Sequence, residues 1–249
     1  MTPATTTLLL TAHGSADLRS ADNARAVADQ LRNMRTDLAV RLAFLGQNAP
    51  TLGCALDHAL RQVQGPIVVT PLLLANAFHA RVDIPRQIAC RTGVKNRRAD
   101  VRQAGVLGQD DRLICVLQHR LAELEVSPFD DEVGVLVVAI GTSDAEVNAR
   151  TARVAPKLLA GTAWAGATTA FATRPERSLA EGLGRLRRQG ARRLVIAPWF
   201  LAPGQLPDRV QRFALAAGIE MAAPLGAHRL VAQTALDRFD AAMSQRIAA

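Results

Sequence analysis

Along the first half of the chain, short continuous apolar runs alternate with longer segments whose apolar residues recur every three to four positions. The runs at 6–12, 38–45, 67–74 and 100–106 read as strands, and the segments at 20–34, 50–63, 82–90 and 110–124 read as helices. In the first helix Val27, Leu31 and Met34 share one face, and Ser20 is the expected N-cap. Pro50 stands where a first-turn proline is tolerated. Ile67-Val68-Val69 and Val135-Leu136-Val137-Val138 lack polar alternation, as expected of strands covered by helices on both faces. Strand and helix in regular succession, joined by right-handed crossovers, predict an α/β fold with a doubly wound parallel sheet.

The pattern then recurs. Sliding the chain by 127 positions lays Leu9-Leu10-Thr11-Ala12-His13-Gly14 on Leu136-Val137-Val138-Ala139-Ile140-Gly141. The same shift lays Ala43-Phe44 on Ala170-Phe171, Leu52 on Leu179, Pro71 on Pro198 and Leu74-Ala75 on Leu201-Ala202. Further on, the offset falls to 118, where Leu107-Gly108 meets Leu225-Gly226, so the second half has lost a short loop. The chain is therefore read as an internal duplication of two similar doubly wound parallel-sheet domains, 1–128 and 129–249, with the boundary near 128–132. A cleft between two such domains is the default place for a site.

The duplication singles out two histidines. His13 and His79 each follow an apolar strand run in the first half, at the sheet edge where open α/β folds place their sites. Under the shift, His13 falls on Ile140 and His79 on Leu206, so both have become aliphatic in the second half. Two unrelated scaffold histidines need not vanish together, whereas two ligands of one metal ion lose their value together. Imidazole is the commonest side-chain ligand for divalent first-row metals. His58 and His119 fall on predicted helices and His228 follows a Gly-Ala turn, so these three read as surface or packing residues.

The segments around the pair, Leu8-Leu9-Leu10-Thr11-Ala12-His13-Gly14-Ser15-Ala16-Asp17 with Arg19-Ser20, and 68–85 with Phe78-His79-Ala80-Arg81-Val82-Asp83-Ile84-Pro85, carry a family resemblance. They are similar to the sirohydrochlorin chelatases, class II chelatases that insert Fe2+ or Co2+ into a tetrapyrrole. The resemblance implies a two-domain chelatase fold, with His13 and His79 as catalytic metal ligands and the divalent metal as a substrate. It implies no permanently bound cofactor. Fe2+ insertion into sirohydrochlorin on the way to sirohaem is the first reading, and Co2+ insertion for cobalamin is the second. Ser15, Arg19, Phe78 and Arg81 are the candidate substrate-binding residues, the arginines because a guanidinium grips carboxylates bidentately. Leu73, Leu74, Trp199, Phe200 and Leu201 could hold the ring or belong to the core. Many relatives carry a glutamate just after the second strand; here Ala43-Phe44-Leu45 is followed by Gly46, which leaves water, a pyrrole nitrogen, Gln47 or Asp83 as third ligand. A carrier that kept the site but lost turnover is the non-enzymatic alternative.

Composition narrows the remaining classes. The net charge of +8 comes almost wholly from arginine, since Lys95 and Lys157 are the only lysines. These arginines are scattered, tyrosine is absent and no aromatic–basic interleaving occurs, which speaks against nucleic acid. No apolar stretch approaches the roughly 20 residues of a membrane span. The first apolar run lacks a basic leader and a cleavage-like site, so it reads as a strand rather than a signal peptide. Cys54, Cys90 and Cys115 are odd in number and lack CxxC spacing, which fits a reducing cytoplasm. His13-Gly14 is preceded by Ala12, so the arginine of a histidine-phosphatase motif is missing. Gly182-Leu183-Gly184 meets Arg187 where a dinucleotide fingerprint needs its third glycine. Because both duplicated halves lie in one chain, a monomer is expected.

Overall fold

The computed structural model describes residues 6–62, 65–92, 100–173 and 175–245. Its first four strands are β1 (Thr7–Ala12), β2 (Ala39–Phe44), β3 (Ile67–Pro71) and β4 (Val101–Gln103), and they form one parallel sheet in the order β2-β1-β3-β4. β5 (Val133–Ala139), β6 (Gly166–Phe171), β7 (Arg193–Pro198) and β8 (Glu220–Met221) form a second, in the matching order β6-β5-β7-β8. The expected class, α/β with two similar doubly wound parallel sheets, is what the chain adopts. β1 and β5 lie inside their sheets and are buried along their whole length, which is why neither alternates. Burial of side chains such as Leu8, Leu9 and Leu10 contributes about 1.5–3 kcal/mol each.

In the first half the helices are α1 (Leu18–Met34), α2 (Leu52–Gln62), a π-helical turn at His79–Asp83 running into α3 (Ile84–Thr92), and α4 (Asp111–Ala122). The second half adds α5 (Ala145–Ala152), α6 (Val154–Leu159), α7 (Pro175–Arg188), α8 (Gln205–Ala216) and α9 (Arg229–Ser244). Two helix starts differ from expectation. α1 begins earlier than Ser20, because Asp17 is its N-cap and accepts from the backbone N–H of Arg19. The helical segment expected at 82 already begins at His79. α2 starts at Leu52, two residues past Pro50, and its expected end at 63 lies outside the described residues.

The compact units do not follow the repeat boundary near 128. One comprises 1–108 with 229–249, and the other comprises 109–228. α9 packs on α1, β3 and β4 through Val231, Ala232, Ala235 and Phe239, while α4 packs on α6 and β7. The last helix of each repeat thus completes the sheet of the other repeat. Its amphipathic pattern specifies a buried face, not whose sheet receives it. The exchange is sealed by paired arginines. Arg238 of α9 donates to the carbonyl oxygens of Val106 (3.1 Å) and Leu107 (3.0 Å). Arg120 of α4, which is 118 positions earlier, donates to those of Pro224 (3.1 Å) and Leu225 (3.4 Å).

Removing either arginine leaves two part-buried carbonyls without their charged donor. Arg238→Ala is expected to lower the unfolding free energy by about 1–3 kcal/mol. Urea denaturation of Arg238→Ala and Arg120→Ala checks this, and a loss under about 0.5 kcal/mol in both would mean that water replaces the arginines at no cost.

Candidate metal centre

β1 and β3 are neighbours in register, with Thr11 opposite Pro71, so both chains leave the sheet at its carboxyl edge side by side. His13 is the first residue past β1 and is exposed, whereas Ala12 before it is buried. The β1–β2 ladder runs on past the strands, with Leu45 N–H donating to Ala12 O (3.0 Å) and Gly46 N–H to His13 O (3.2 Å). Gly14 turns the chain at φ +88°, and any Cβ there would overlap the Gly46 carbonyl oxygen. Ser15 N–H donates to Asn48 Oδ1 (2.7 Å), and the Ser15 hydroxyl accepts from Asp17 N–H (3.1 Å).

The second unit repeats this loop without the histidines. Gly141 has φ +85°, Thr142 N–H donates to Asn148 Oδ1 (3.0 Å) and the Thr142 hydroxyl accepts from Asp144 N–H (3.0 Å). Ser15 therefore shapes a turn common to both halves.

His79 opens the π-helical turn, in which Ile84 N–H reaches back to His79 O. Such a wide turn is frequent at functional positions. Gln103 Nε2, on β4, donates to Ala80 O (2.7 Å) and pins the turn to the sheet. Although 66 residues apart, the two histidine rings meet with centroids at 4.4 Å and planes at 75°, and their Nε2 atoms are 2.8 Å apart.

The outer partners assign the tautomers. His13 Nδ1 lies 2.8 Å from the Gly14 carbonyl oxygen, and His79 Nδ1 lies 2.6 Å from Asp83 Oδ2. Both partners can only accept, so both Nδ1 atoms carry the hydrogen. Each Nε2 then presents a lone pair to the other, and a positive charge between them, a shared proton or a metal ion, makes that approach attractive. A metal ion with Nε2 bonds of about 2.1 Å at a tetrahedral angle needs the nitrogens about 3.4 Å apart. The rings would part by roughly 0.6 Å, within reach of surface side chains.

Among the described residues no group of three His, Cys, Asp or Glu side chains comes together to hold a metal ion. Asp83, one of the possible third ligands, has its carboxylate behind His79, on the ring nitrogen that faces away from His13. Phe78 is exposed, its ring centroid 6.0 Å from that of His79, and exposed Leu18 and Val82 stand on the same two segments. Arg81 is exposed on the π-helical turn. Arg19 is engaged with Asp17, whose carboxyl that hydrogen-bonded ion pair holds below the ordinary aspartate range. Trp199 and Phe200 are buried and belong to the core, whereas Leu73, Leu74 and Leu201 are half-buried. His58 is exposed on α2, and His119 and His228 lie with ring centroids 5.5 Å apart. Burial, then the nearby His119 and Arg120, hold His228 below the ordinary histidine range.

Comparison with known proteins decides the family. The CbiX family model matches residues 7–124 and again 134–242, one match for each repeat. The chain belongs to the CbiX family. A sirohydrochlorin ferrochelatase of Priestia megaterium is 26% identical over 204 residues, spanning 82% of this chain and 76% of that protein. A sirohydrochlorin cobaltochelatase of the same organism is also 26% identical, over 208 residues, spanning 82% of this chain and 67% of that one. A solved structure described as SirB from Bacillus subtilis with Fe3+ superimposes with a TM-score of 0.83 at 22% identity, covering 96% of both chains, and so shares the fold. In this CbiX chain the two histidines that converge both lie in the first match, and the second match carries Ile140 and Leu206 at their places.

Gly46 can be tested directly. A Cβ built there meets nothing within 4 Å, and its φ lies outside the left-handed region, so the strain that a positive φ would impose does not arise. Gly46→Glu is expected to fold as stably as the parent, and to bind Co2+ at least several-fold more tightly if the carboxylate reaches the ion. Co2+ titration of both proteins reads the difference; equal affinity in a folded variant would place position 46 away from the metal.

Proposed function

We propose that this chain is a sirohydrochlorin chelatase that inserts Fe2+ into the macrocycle in sirohaem synthesis. The carrying observation is the convergence of the His13 and His79 Nε2 atoms, with both Nδ1 atoms tied to acceptors. A chelatase must hold a divalent ion loosely enough to release it, and must accept two protons from the pyrrole nitrogens. Two imidazoles, with no third His, Cys, Asp or Glu grouped with them among the described residues, suit the first demand. Once the ion has left, their Nε2 lone pairs suit the second.

Phe78, exposed beside His79, offers apolar surface for the flat face of the ring, and Leu18 and Val82 are exposed on the same two segments. Arg81, exposed two residues past His79, and Arg19, at the start of the helix that follows His13, are the candidates for the substrate carboxylates. Ser15 contributes by shaping the loop that carries His13. Both histidines come from one compact unit, so a monomer can carry the site. No helix among the described residues is long and apolar enough to cross a membrane, and we place the protein in the cytoplasm, acting on a small tetrapyrrole and not on nucleic acid or lipid.

Cobalt insertion is the second reading, favoured by a cobaltochelatase relative as similar as the ferrochelatase one. Anaerobic insertion assays with sirohydrochlorin, each metal in turn, and coproporphyrin as the rival ring separate the readings. Faster turnover with Fe2+ is expected; faster turnover with Co2+ would reverse the assignment. Binding of metal and ring without insertion would make the chain a carrier.

His13→Ala and His79→Ala are each expected to lower insertion at least about 100-fold, and the double variant little further, because each ligand needs the other. Independent losses of a few-fold would break the shared-site reading. Sedimentation is expected to report one chain per particle, and an obligate dimer would contradict the monomer.

A further inference from the structure

We propose that Asp83 is a positioning residue for metal capture. It holds His79 in the tautomer and orientation that aim its Nε2 lone pair at the ion. This rests on the metal-receiving role of His13 and His79.

Three features single it out. The His79 Nδ1 to Asp83 Oδ2 distance is 2.6 Å, in the range of a charge-assisted hydrogen bond. The carboxylate is only 17% exposed, on the inner side of a turn whose Ala80 is buried and tied to β4, so its own freedom is small. Its other oxygen lies 3.7 Å from Arg86 Nη2, a loose ion pair on an exposed arginine.

The four-residue spacing places both side chains on one side of the turn. A plain loop after β3 would hold neither the ring nor its partner. His13 obtains the same service from the Gly14 carbonyl, a backbone group that no substitution removes. Asp83 is thus the side chain through which the tautomers of the pair can be changed. Second partners of this kind typically alter metal affinity 10–100-fold.

The second unit argues the same way from its losses. Under the shift of 127 that places His79 on Leu206, Asp83 falls on Val210, which is fully buried in the core of that unit. Where the imidazole has gone, the carboxylate has gone with it. A carboxylate kept only to cap or solubilise the helix would have no reason to follow the histidine.

The test measures Co2+ affinity of the full-length protein, the visible spectrum of bound Co2+ and insertion kinetics, in Asp83→Ala, Asp83→Asn, Asp83→Glu and His79→Ala. Asp83→Ala is expected to bind Co2+ at least 10-fold more weakly, and Asp83→Asn, whose neutral amide oxygen can still accept, to fall between it and the parent. Their spectra should shift toward that of His79→Ala, and the KM for metal should rise more than that for the tetrapyrrole. Asp83→Glu, which keeps the charged acceptor, should recover most of the affinity. If Asp83→Ala binds Co2+ within twofold of the parent with an unchanged spectrum, while His79→Ala abolishes binding, the positioning role falls and the metal site stands. If His79→Ala also leaves Co2+ binding unchanged, the metal-site reading falls and takes the proposal with it.

Discussion

Parallel pairing of β1 with β3 is what the candidate centre depends on. Adjacent strands lie about 4.8 Å apart, and in a parallel pair they end at the same sheet edge. With Thr11 opposite Pro71, the residues that follow are delivered to one place, although 66 positions separate the two histidines in the chain. The buried run through Leu8, Leu9 and Leu10 secures β1 inside the sheet, and Ile67, Val68 and Val69 do the same for β3. The core therefore sets the relative positions of the two loop origins, leaving the loops only to aim the rings. Gly14 and the bonds from Leu45 and Gly46 do that for His13, and the π-helical turn does it for His79.

The second unit serves as an internal control on this logic. Its strand order, its positive-φ glycine and its hydroxyl-capped turn match those of the first unit, but aliphatic residues stand where the imidazoles would be. Scaffold and chemistry are thus separable in one molecule. Features present in both units, such as the Ser15 and Thr142 turns, maintain the fold. Features confined to the first unit, His13, His79 and Asp83, are the ones that the proposed metal capture would need. Relatives named for iron insertion and for cobalt insertion are equally similar to this chain, which accords with borderline nitrogen ligands that suit either ion.

Much of this was legible in the sequence. Continuous apolar runs marked the central strands because helices cover both their faces, and the constant shift disclosed the duplication. The two histidines stood out because both vanish from the second repeat. Other features were hidden for physical reasons. The exchange of α4 and α9 left no trace in periodicity, because an amphipathic helix encodes a face and not the sheet that receives it. The start of the helical segment at His79 was missed because Phe78 to Asp83 has no strong N-cap. Asp83 was visible as a carboxylate four residues beyond a histidine, a spacing that fits ligand and orienting partner alike; only the ring's direction separates them. The pairing of Arg19 with Asp17 was hidden because it depends on the turn that caps α1.

The account requires one metal ion to sit between two imidazoles supplied by the first unit alone. Anomalous diffraction at the cobalt edge, from crystals of the full-length protein soaked in Co2+, tests this most directly. The expected result is a single strong peak about 2.1 Å from the Nε2 atoms of both His13 and His79, with Asp83 still on His79 Nδ1. A peak bound by Asp83, a peak near Ile140 and Leu206, or none at the histidine pair would contradict it.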